Sequence, residues 1–457
     1  MLDKAVAAQL RAALGAKGFL DAPEDVRSYS YDLFSRAEPW AVALPASTEQ
    51  AAAVLRICHA ARVPVTPRGA GTSLTGGPVP VRGGVVLCSA RMNSIVEISV
   101  PDRLARVQSG VVTGDLQQAV AAQGMFYPPN ATSMPYCTIG GNVATNAGGA
   151  SGAKYGVTRD YLLAMTVVLP DGEILHLGNR CQKDVAGFDL ARVLCGSEGL
   201  LGFITEVTVK LVPRPEAVRT ALAYFPDAYK AAAVVTDVVS QRMLPCTLEL
   251  MDGVFLRTVA EVYGVPCPEG AGAALLLEVD GPAVVLDAQM ARVADICRAH
   301  AALDVQVAAT EAEREVLWKA RRGGTAALVR HADFLVTLDY AVPISRLPEA
   351  LQAMGDLGRE HGVQVVTIAH AADGNLHPMA LYSPQDPAQQ AAFEAWAAAS
   401  CARILDMGGT ISGEHGIGLE KKAYLPRQMG EAQMRICRGI CRLFDPEGLM
   451  NPEKFLE

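Results

Sequence analysis

The sequence lacks long runs of a single chemical kind, and each absence excludes a class of protein. No stretch approaches the roughly 20 apolar residues that a membrane-spanning helix needs. No long basic run occurs, and the formal net charge is −8, which argues against nucleic acid as a partner. Near the amino terminus, Asp3, Lys4, Arg11 and Lys17 interrupt the apolar residues. We therefore expect an amphipathic helix there rather than a signal peptide.

The eleven cysteines follow no spacing that is typical of a zinc site or an iron–sulfur cluster. Their number is odd, and the closest pair, Cys437 and Cys441, lies one helical turn apart, which is typical of core thiols in a helix. The sequence therefore predicts free thiols and a reducing, cytoplasmic environment. It also contains no haem motif, so electrons from any redox reaction must leave through another molecule.

The chain of 457 residues is long for a single hydrophobic core. The pattern of predicted strands and helices differs between two regions of it. From about residue 40 to 213, short β-branched strands alternate with helices and glycine turns. From 216 to about 410 the units are longer, which favours a mostly antiparallel sheet with one helical layer. Pro213 and Pro215 mark a boundary between the two regions. We predict an α+β fold with domains at 1–213 and 214–410 and a C-terminal segment at 411–457.

Two glycine-rich runs, PRGAGTSLTGG at 67–77 and TIGGNVATNAGGASGAKYG at 138–156, are the first candidate binding elements. The first run precedes Pro78 and does not fit the G-x-G-x-x-G turn that opens a helix in dinucleotide folds. Both are predicted to be loops. The backbone N–H groups of the first can converge on an anion, and the small residues of the second leave room for a bulky ligand. One such run alone would favour ordinary tight turns. Two of them between residues 67 and 156 favour a cofactor.

A second candidate site comes from His370, His377, Glu414 and His415. VQVVTIAH and NLHPMALY read as two strands joined by AADG, and pairing of His370 with Asn375 would place both histidines on one face. Glu414 and His415 are neighbours in an extended loop, so one can bind a metal while the other faces a substrate. Two histidines and a carboxylate form a known catalytic metal site. The alternative is a pair of half-buried sheet histidines satisfied by backbone groups.

A series of motifs resembles the FAD-linked oxidases of the vanillyl-alcohol-oxidase type. Within that group it resembles the branch of the glycolate oxidase flavin subunit, D-lactate dehydrogenase and D-2-hydroxyglutarate dehydrogenase. The motifs run from about residue 20 to the end and are PRGAGTSLTGG, GGNVATNAGGASGAKYGVTRDYLL, LPDGEIL, LCGSEGLLGFITEVTVKL, HAADGNLHP, SGEHGIGLEK and FDPEGLMNPEKF. The resemblance implies a two-subdomain FAD-binding domain of the PCMH type, a cap domain with an antiparallel sheet for the substrate, and return of residues 411–457 to the FAD-binding domain.

The resemblance also implies how FAD binds. The diphosphate would rest on residues 68–73, residues 138–156 would line much of the rest, and Asn451 would return from the tail to the flavin. FAD would be non-covalent, because no position matches a flavin-linking His or Cys. The cofactor-binding residues implied in this way are Pro67, Arg68, Gly69, Ala70, Gly71, Thr72, Ser73, Gly77, Thr138, Gly140, Gly141, Asn142, Thr145, Asn146, Gly148, Gly149, Tyr155, Gly156, Glu198, Ile204 and Asn451.

The implied reaction is a metal-assisted oxidation of a 2-hydroxy acid. His370, His377 and Glu414 would hold a divalent metal, zinc in the first place, with manganese or iron as alternatives. The metal would lower the pKa of the substrate hydroxyl, His415 would remove its proton, and hydride would pass from C2 to flavin N5.

A helix in LWKARRGGTAA supplies the predicted substrate contacts. Arg321 and Thr325, four residues apart on one face, match the family's carboxylate-binding Arg and Thr. Gly323 and Gly324 predict a local break in this helix, because each costs about 1 kcal/mol in a helix interior.

Two departures from the D-2-hydroxyglutarate branch predict a small substrate. Thr337 stands where that branch has a lysine for the second carboxylate, and Met379 stands where it has an asparagine. We therefore expect a small (R)-2-hydroxy acid, glycolate or D-lactate, with D-2-hydroxyglutarate as an alternative. Two hypotheses from different functional classes are a lyase or transferase on the same fold and a non-catalytic flavin subunit. The electron acceptor would be a quinone, a cytochrome or an iron–sulfur subunit. The chain would belong to a peripheral complex at the inner membrane or form a homodimer.

Overall fold

The computed structural model describes residues 2–264, 267–331 and 333–456. The strands, in chain order, are β1 (Phe19–Leu20), β2 (Ala41–Ala43), β3 (Val65–Arg68), β4 (Val85–Cys88), β5 (Ile95–Ser99), β6 (Leu104–Gln108), β7 (Met125–Phe126), β8 (Leu162–Val168), β9 (Ile174–Gly178), β10 (Phe203–Lys210), β11 (Val212–Pro213), β12 (Ala217–Phe225), β13 (Thr247–Asp252), β14 (Ala273–Gly281), β15 (Asp304–Val307), β16 (Phe334–Thr337), β17 (Tyr340–Ala341), β18 (Gln364–His370) and β19 (Asn375–Tyr382). The α-helices are α1 (Lys4–Leu14), α2 (Pro23–Val26), α3 (Thr48–Ala60), α4 (Thr113–Ala121), α5 (Ile139–Thr145), α6 (Gly152–Tyr155), α7 (Thr158–Tyr161), α8 (Leu190–Leu194), α9 (Ala228–Ser240), α10 (Gly253–Tyr263), α11 (Ala283–Ala299), α12 (Glu311–Leu328), α13 (Leu347–His361), α14 (Pro387–Asp406) and α15 (Leu425–Phe444).

The chain divides into two compact units. Unit 1 consists of Met1–Gly148, Val157–Arg214 and Glu414–Glu457, and unit 2 consists of Gly149–Gly156 and Pro215–Gly413. The polypeptide therefore passes from one unit to the other four times. Residues 149–156, which the sequence groups with the second glycine-rich run, belong to unit 2.

Unit 1 is built around two sheets with separate cores. In the first, of order β1-β2-β4-β3, β4 pairs with β2 and β3 in parallel, and α1 and α3 pack against it. The second sheet, of order β5-β6-β10-β8-β9, is antiparallel throughout. Helix α3 begins at Thr48, because the Ser47 hydroxyl caps it by accepting a hydrogen bond from the Gln50 N–H (3.3 Å). The α+β architecture with two subdomains is confirmed.

The two glycine-rich runs fold differently. The first, after β3, is a loop as predicted. The prediction of a loop is wrong for the second, which contains α5 and α6. Helix α5 forms because Ile139 and Val143 bury their side chains in the core beside the second sheet, and burial outweighs the low helix propensity of glycine. Gly140 is required there, since a Cβ would lie 2.5 Å from the Ser109 Cβ.

Unit 2 contains one sheet of order β15-β12-β14-β13-β18-β19-β16, in which β17 also pairs with β19. Its pairings are antiparallel, as predicted. The prediction of one helical layer is wrong, because α10 and α12 pack on one face while α9, α11 and α13 pack on the other. The burial of residues 222–225 on β12 agrees with helices on both faces. Successive side chains of a strand point to opposite faces of the sheet, and all four of these side chains are buried.

Helix α12 runs without interruption from Glu311 to Leu328, so the predicted break at Gly323 and Gly324 is wrong. The two glycines instead allow close packing against α10. A Cβ at Gly324 would lie 1.8 Å from Phe255 Cζ, and one at Gly323 would lie 2.8 Å from the Tyr263 ring. The gain from this contact offsets the helix propensity that each glycine costs.

Residues 149–156 are fixed to β14 by Asp280. The Lys154 ammonium forms an ion pair with the buried Asp280 carboxylate and donates a hydrogen bond to the Asp280 carbonyl oxygen (2.7 Å). The Tyr155 hydroxyl donates to the other carboxylate oxygen of Asp280 (2.6 Å). A charged pair with additional hydrogen bonds is costly to break where its carboxylate is buried, so this segment is held firmly in unit 2.

All eleven cysteines are free thiols, as the sequence predicts. Within the described ranges, no helix combines the length and apolar character that crossing a membrane requires.

Candidate active site

A cavity of about 400 Å³ lies within unit 1. Its volume falls inside the range of roughly 300–1,000 Å³ that is usual for cofactor and small-molecule pockets. Most of the predicted cofactor-binding residues line it, namely Pro67, Arg68, Gly69, Ala70, Gly71, Thr72, Ser73, Gly77, Thr138, Gly140, Gly141, Asn142, Thr145, Gly148, Glu198 and Ile204. Residues that are about 70 positions apart in sequence therefore face one cavity.

The remaining predicted cofactor-binding residues lie elsewhere. Asn451 supports the cavity wall from behind, since its side-chain amide donates to the carbonyl oxygens of Gly77 (3.0 Å) and Glu198 (2.7 Å). Asn146 accepts a hydrogen bond from the Arg159 N–H (2.9 Å). Gly149, Tyr155 and Gly156 belong to unit 2. The binding roles of all five stay predictions.

Several residues that line the cavity were not predicted from the sequence. They lie outside the glycine runs: Ser89, Ser109, Ala131, Thr132, Ser133, Tyr136, Cys137, Ser197, Gly199, Gly202 and Phe203. The segment PNATSMPYC, which leads directly into Thr138, carries proline and small polar residues that are typical of a ligand-facing turn. That composition was the one available signal, and it extends the second run towards the amino terminus.

The first glycine loop is shaped by two side chains. The Arg68 guanidinium packs over Gly71, where a Cβ would lie 2.0 Å from Nη2 and where φ is +76°. The Asp32 carboxylate accepts a hydrogen bond from the Gly76 N–H (2.6 Å). Glycine is thus required at position 71 both by the close approach and by the left-handed backbone.

The donors of the cavity fit a diphosphate-containing cofactor. Among the residues that the structure describes, the backbone N–H groups of residues 70–73 have no hydrogen-bond partner. The buried hydroxyl of Ser109 is likewise unpartnered within the described ranges. Buried polar groups are normally satisfied, so the Ser109 hydroxyl indicates a polar ligand in the cavity. The N–H groups of residues 70–73, which are half-buried or exposed, are available to bind an anion.

Glu414 and His415 also line this cavity, in a loop that Glu198 holds. The Glu198 carboxylate accepts hydrogen bonds from the N–H groups of Ile417 (2.7 Å) and Gly418 (2.8 Å). Burial raises the pKa of the Glu198 carboxyl, and these two N–H groups oppose that rise. The loop that carries the predicted base is therefore anchored to the same unit that forms the cavity.

The C-terminal tail is fixed to unit 1 by Lys454. Its ammonium is fully buried and donates to the carbonyl oxygen of Val79 (2.6 Å). Burial lowers the pKa of Lys454 to about 8.

In unit 2, the hairpin of β18 and β19 has the predicted register. His370 pairs with Asn375 and Ile368 pairs with His377, so the two histidines share one face of the sheet. Both are buried, and their ring centroids lie 5.0 Å apart. Gly374 closes the turn with φ of +77°, where a Cβ would lie 2.1 Å from the Val342 carbonyl oxygen. The predicted pairing and shared face are confirmed.

A carboxylate lies beside each histidine. Glu249 Oε1 is 2.5 Å from His370 Nδ1, and Asp339 Oδ1 is 3.8 Å from His377 Nδ1. Asp339 in turn accepts hydrogen bonds from the Asn375 amide (2.8 Å) and the Ser412 hydroxyl (2.7 Å). Metal-binding histidines almost always donate their other ring N–H to such a carboxylate. The His370 contact has hydrogen-bond length, whereas the 3.8 Å separation at His377 is longer than a hydrogen bond. The donor set of this pair therefore fits a divalent metal. The predicted third ligand, Glu414, belongs to the other unit, and its role stays a prediction.

Arg321 reaches the same cluster from α12. Its Nε donates to Glu249 Oε2 (2.7 Å), and the side chain is buried. Burial alone would raise the pKa of the Glu249 carboxyl, but His370 and Arg321 hold it below its ordinary value. Thr325, one turn further along, is exposed. The structure therefore brings Arg321 to the histidines and leaves Thr325 outside this buried cluster.

The two positions that depart from the D-2-hydroxyglutarate branch are direct neighbours. Thr337 on β16 pairs with Met379 on β19. Met379 is buried in the apolar core on the face that α10 and α12 cover. Neither side chain brings a charge to this part of the sheet.

Comparison with known proteins decides the family. The model for the FAD binding domain matches residues 39–178, and the model for the C-terminal domain of FAD linked oxidases matches residues 214–455. The chain belongs to the FAD-linked oxidase family. Among curated relatives of this FAD-linked oxidase is the glycolate oxidase subunit GlcD of Bacillus subtilis, which is 39% identical, with 99% of this chain and 97% of the relative covered. The D-lactate dehydrogenase of Anaerostipes hadrus is 36% identical, with 94% and 92% covered.

Solved structures support the fold of the FAD-linked oxidase. p-Cresol methylhydroxylase matches with a TM-score of 0.81 at 16% identity, covering 98% of this chain and 95% of that chain. Alkyldihydroxyacetonephosphate synthase matches with a TM-score of 0.77 at 20% identity, covering 99% and 86%. At this level of identity the likeness shows the fold alone, which confirms the predicted PCMH-type architecture.

Gly77 offers a test of FAD binding in the cavity. A Cβ there would meet only Ser73 Oγ, at 3.5 Å, so a larger side chain fits the protein but occupies the cavity. We expect Gly77→Val to weaken FAD binding at least tenfold, about 1.4 kcal/mol. The ratio of flavin to protein absorbance after purification, and titration of the apoprotein with FAD, measure this. Gly439→Val, at a helix position with no neighbour within 4 Å, is the matched control. Full flavin occupancy in Gly77→Val would contradict the assignment.

Proposed function

We propose that this FAD-linked oxidase is a metal-dependent dehydrogenase of small (R)-2-hydroxy acids, glycolate or D-lactate, forming the 2-oxo acid. The observation that carries the proposal is the buried pair His370 and His377, each with a carboxylate beside its Nδ1. A flavin cavity alone serves many reactions, whereas such a histidine pair suits a metal that binds a hydroxy acid. The names of the two relatives, a glycolate oxidase subunit and a D-lactate dehydrogenase, support the same substrate class.

The proposed reaction needs two groups that the protein must bind, FAD and a divalent metal. FAD supplies the hydride acceptor and the divalent metal supplies Lewis acidity towards the substrate hydroxyl when both are bound. His370, His377 and Glu414 would hold the metal, which we propose is zinc. In unit 1, the residues that line the cavity would hold FAD without a covalent bond.

Two residues act on the substrate itself in this proposal. His415 accepts the proton of the 2-hydroxyl at a ring nitrogen, as a general base. Arg321 binds the substrate carboxylate, since its fork of N–H donors matches carboxylate geometry. Removal of the proton and binding of the carboxylate are thus assigned to different side chains.

The uncharged pair of Thr337 and Met379 supports a substrate with one carboxylate. A dicarboxylate such as D-2-hydroxyglutarate would place a second negative charge against buried apolar atoms, which is costly without a cationic partner. A methyl group on C2, as in D-lactate, or a hydrogen, as in glycolate, suits Met379 better. D-2-Hydroxyglutarate is therefore the alternative to be tested alongside.

The proposal is tested by anaerobic bleaching of the flavin with a panel of acids. We expect glycolate or D-lactate to reduce the flavin, and L-lactate and D-2-hydroxyglutarate to do so at least tenfold less efficiently. Stopped-flow loss of visible flavin absorbance gives the rate for each acid. If no 2-hydroxy acid bleaches the flavin, the reaction class is wrong. Steady-state turnover with a quinone, a cytochrome and dioxygen then identifies the class of electron acceptor.

A further inference from the structure

Glu249 is a buried carboxylate that binds two of the proposed functional side chains at once. It lies on β13, directly opposite His370 on β18, and is 1% exposed. Its Oε1 is 2.5 Å from His370 Nδ1, and its Oε2 accepts a hydrogen bond from Arg321 Nε at 2.7 Å. Each oxygen of this carboxylate therefore serves a different partner.

We propose that Glu249 is a positioning residue that couples metal binding at His370 to carboxylate binding at Arg321. The inference rests on the proposed function, which assigns the metal to His370 and the substrate carboxylate to Arg321. It adds that one side chain, which touches neither metal nor substrate, sets the orientation of both groups.

On the histidine side, Glu249 selects the tautomer of His370. A carboxylate accepts and never donates, so the Nδ1 that faces it carries the proton. The lone pair is then on Nε2, which becomes the ligand atom. The same contact fixes the plane of the ring and raises the basicity of Nε2, and loss of such a partner typically costs roughly 10- to 100-fold in metal affinity.

On the arginine side, Glu249 fixes the guanidinium of Arg321. It binds Nε, at the base of the planar group, and none of the hydrogen bonds of the described residues occupies the two terminal nitrogens of the fork. It also compensates a positive charge that is almost fully buried. Without this partner, the arginine would lose both its orientation and the counter-charge that allows it to stay buried.

The same helix carries a matched pair that lacks a histidine. Arg314 lies two helical turns before Arg321 on α12, and its Nε donates to Glu278 Oε1 at 2.7 Å. The Trp318 N–H donates to the same oxygen (2.8 Å). Glu278 is buried on β14, in the strand next to Glu249. A variant of Glu278 thus measures what loss of a buried Glu–Arg pair on this helix does to the protein in general.

The test compares Glu249→Gln with Glu278→Gln in the flavin-loaded protein. A glutamine keeps the size but has one acceptor oxygen, so either His370 or Arg321 loses its acceptor. We expect Glu249→Gln to bind Zn²⁺ about 10- to 100-fold more weakly by calorimetric titration of the metal-free protein. The KM for D-lactate should rise at least tenfold, while Glu278→Gln should keep the Zn²⁺ affinity and KM of the wild type.

Glu249→Asp gives a second test that keeps the negative charge. The side chain is one methylene shorter, so the 2.5 Å contact with His370 is lost and weaker Zn²⁺ binding is expected again. This variant covers the case in which Glu249→Gln does not fold.

Two results would overturn the role of Glu249. One is Zn²⁺ affinity within threefold of the wild type in a folded Glu249 variant, and the other is an equal loss in the Glu278 and Glu249 variants. His377→Ala separates this inference from the proposed function. If His377→Ala also binds Zn²⁺ normally, the metal site itself is wrong. If only His377→Ala loses the metal, the metal site stands and the role of Glu249 fails.

Discussion

Replacement of His377 by alanine is expected to reduce turnover of the 2-hydroxy acid by roughly a thousandfold, which corresponds to about 4 kcal/mol of lost transition-state stabilisation. His377 is buried beside His370 and Asp339, and its removal takes one ligand from the proposed metal set. FAD should stay bound, because the cavity that we assign to it lies within unit 1 and His377 belongs to unit 2. Turnover, metal content and flavin absorbance of the purified variant measure the three quantities separately.

Chelation provides the matching test on the wild type. EDTA should abolish turnover, and added Zn²⁺ or Mn²⁺ should restore it in the wild type but not in His377→Ala. His361→Ala, a half-buried histidine at the end of α13, serves as the control and should behave like the wild type. Full activity in a protein shown to contain no metal would refute the site.

The second large effect is expected at His415. Its replacement by glutamine removes the proposed general base and should lower turnover by roughly 10²- to 10⁴-fold. Glutamine keeps a similar length, and the loop remains anchored through Glu198, Ile417 and Gly418, so FAD content should not change. Metal content should also stay normal, which distinguishes this variant from His377→Ala.

The pH dependence of turnover gives an independent readout for His415. A base must be deprotonated to act, so the rate of the wild type should rise with pH through the titration of that base. In His415→Gln this ascending limb should disappear. His176→Ala is the control, since His176 lies in unit 1 beside Thr166 and outside the cavity. Turnover of His415→Gln within threefold of the wild type, or an unchanged pH profile, would show that another group takes the proton.

Sequence patterns correctly predicted the features of the fold that depend on residues close together in the chain. The two predicted strands VQVVTIAH and NLHPMALY, joined by the short turn AADG, correctly predict the pairing of His370 with Asn375. The first glycine loop is predicted for a similar reason, since no helix begins on its glycines and Pro78. These features depend on neighbours within about ten residues in the chain, which a sequence displays directly.

Long-range packing explains what the sequence did not reveal. Glu249 lies 121 positions before His370, and nothing in CTLELM marks it as a partner of a histidine until β13 pairs with β18. The same holds for Gly323 and Gly324, which look like a helix break but serve contact with Phe255 and Tyr263. In each case the deciding neighbour comes from a distant part of the chain.

The contacts of Asp280 with Lys154 and Tyr155 matter for the design of chimeras between related proteins. A transplant of residues 215–413 alone would leave Asp280 without the two side chains that bind it, because residues 149–156 come from an earlier part of the gene. A chimera intended to exchange unit 2 between relatives should carry both pieces. Unit 2 is thus encoded by two separate stretches of one gene, and recombination at a single crossover cannot move it intact.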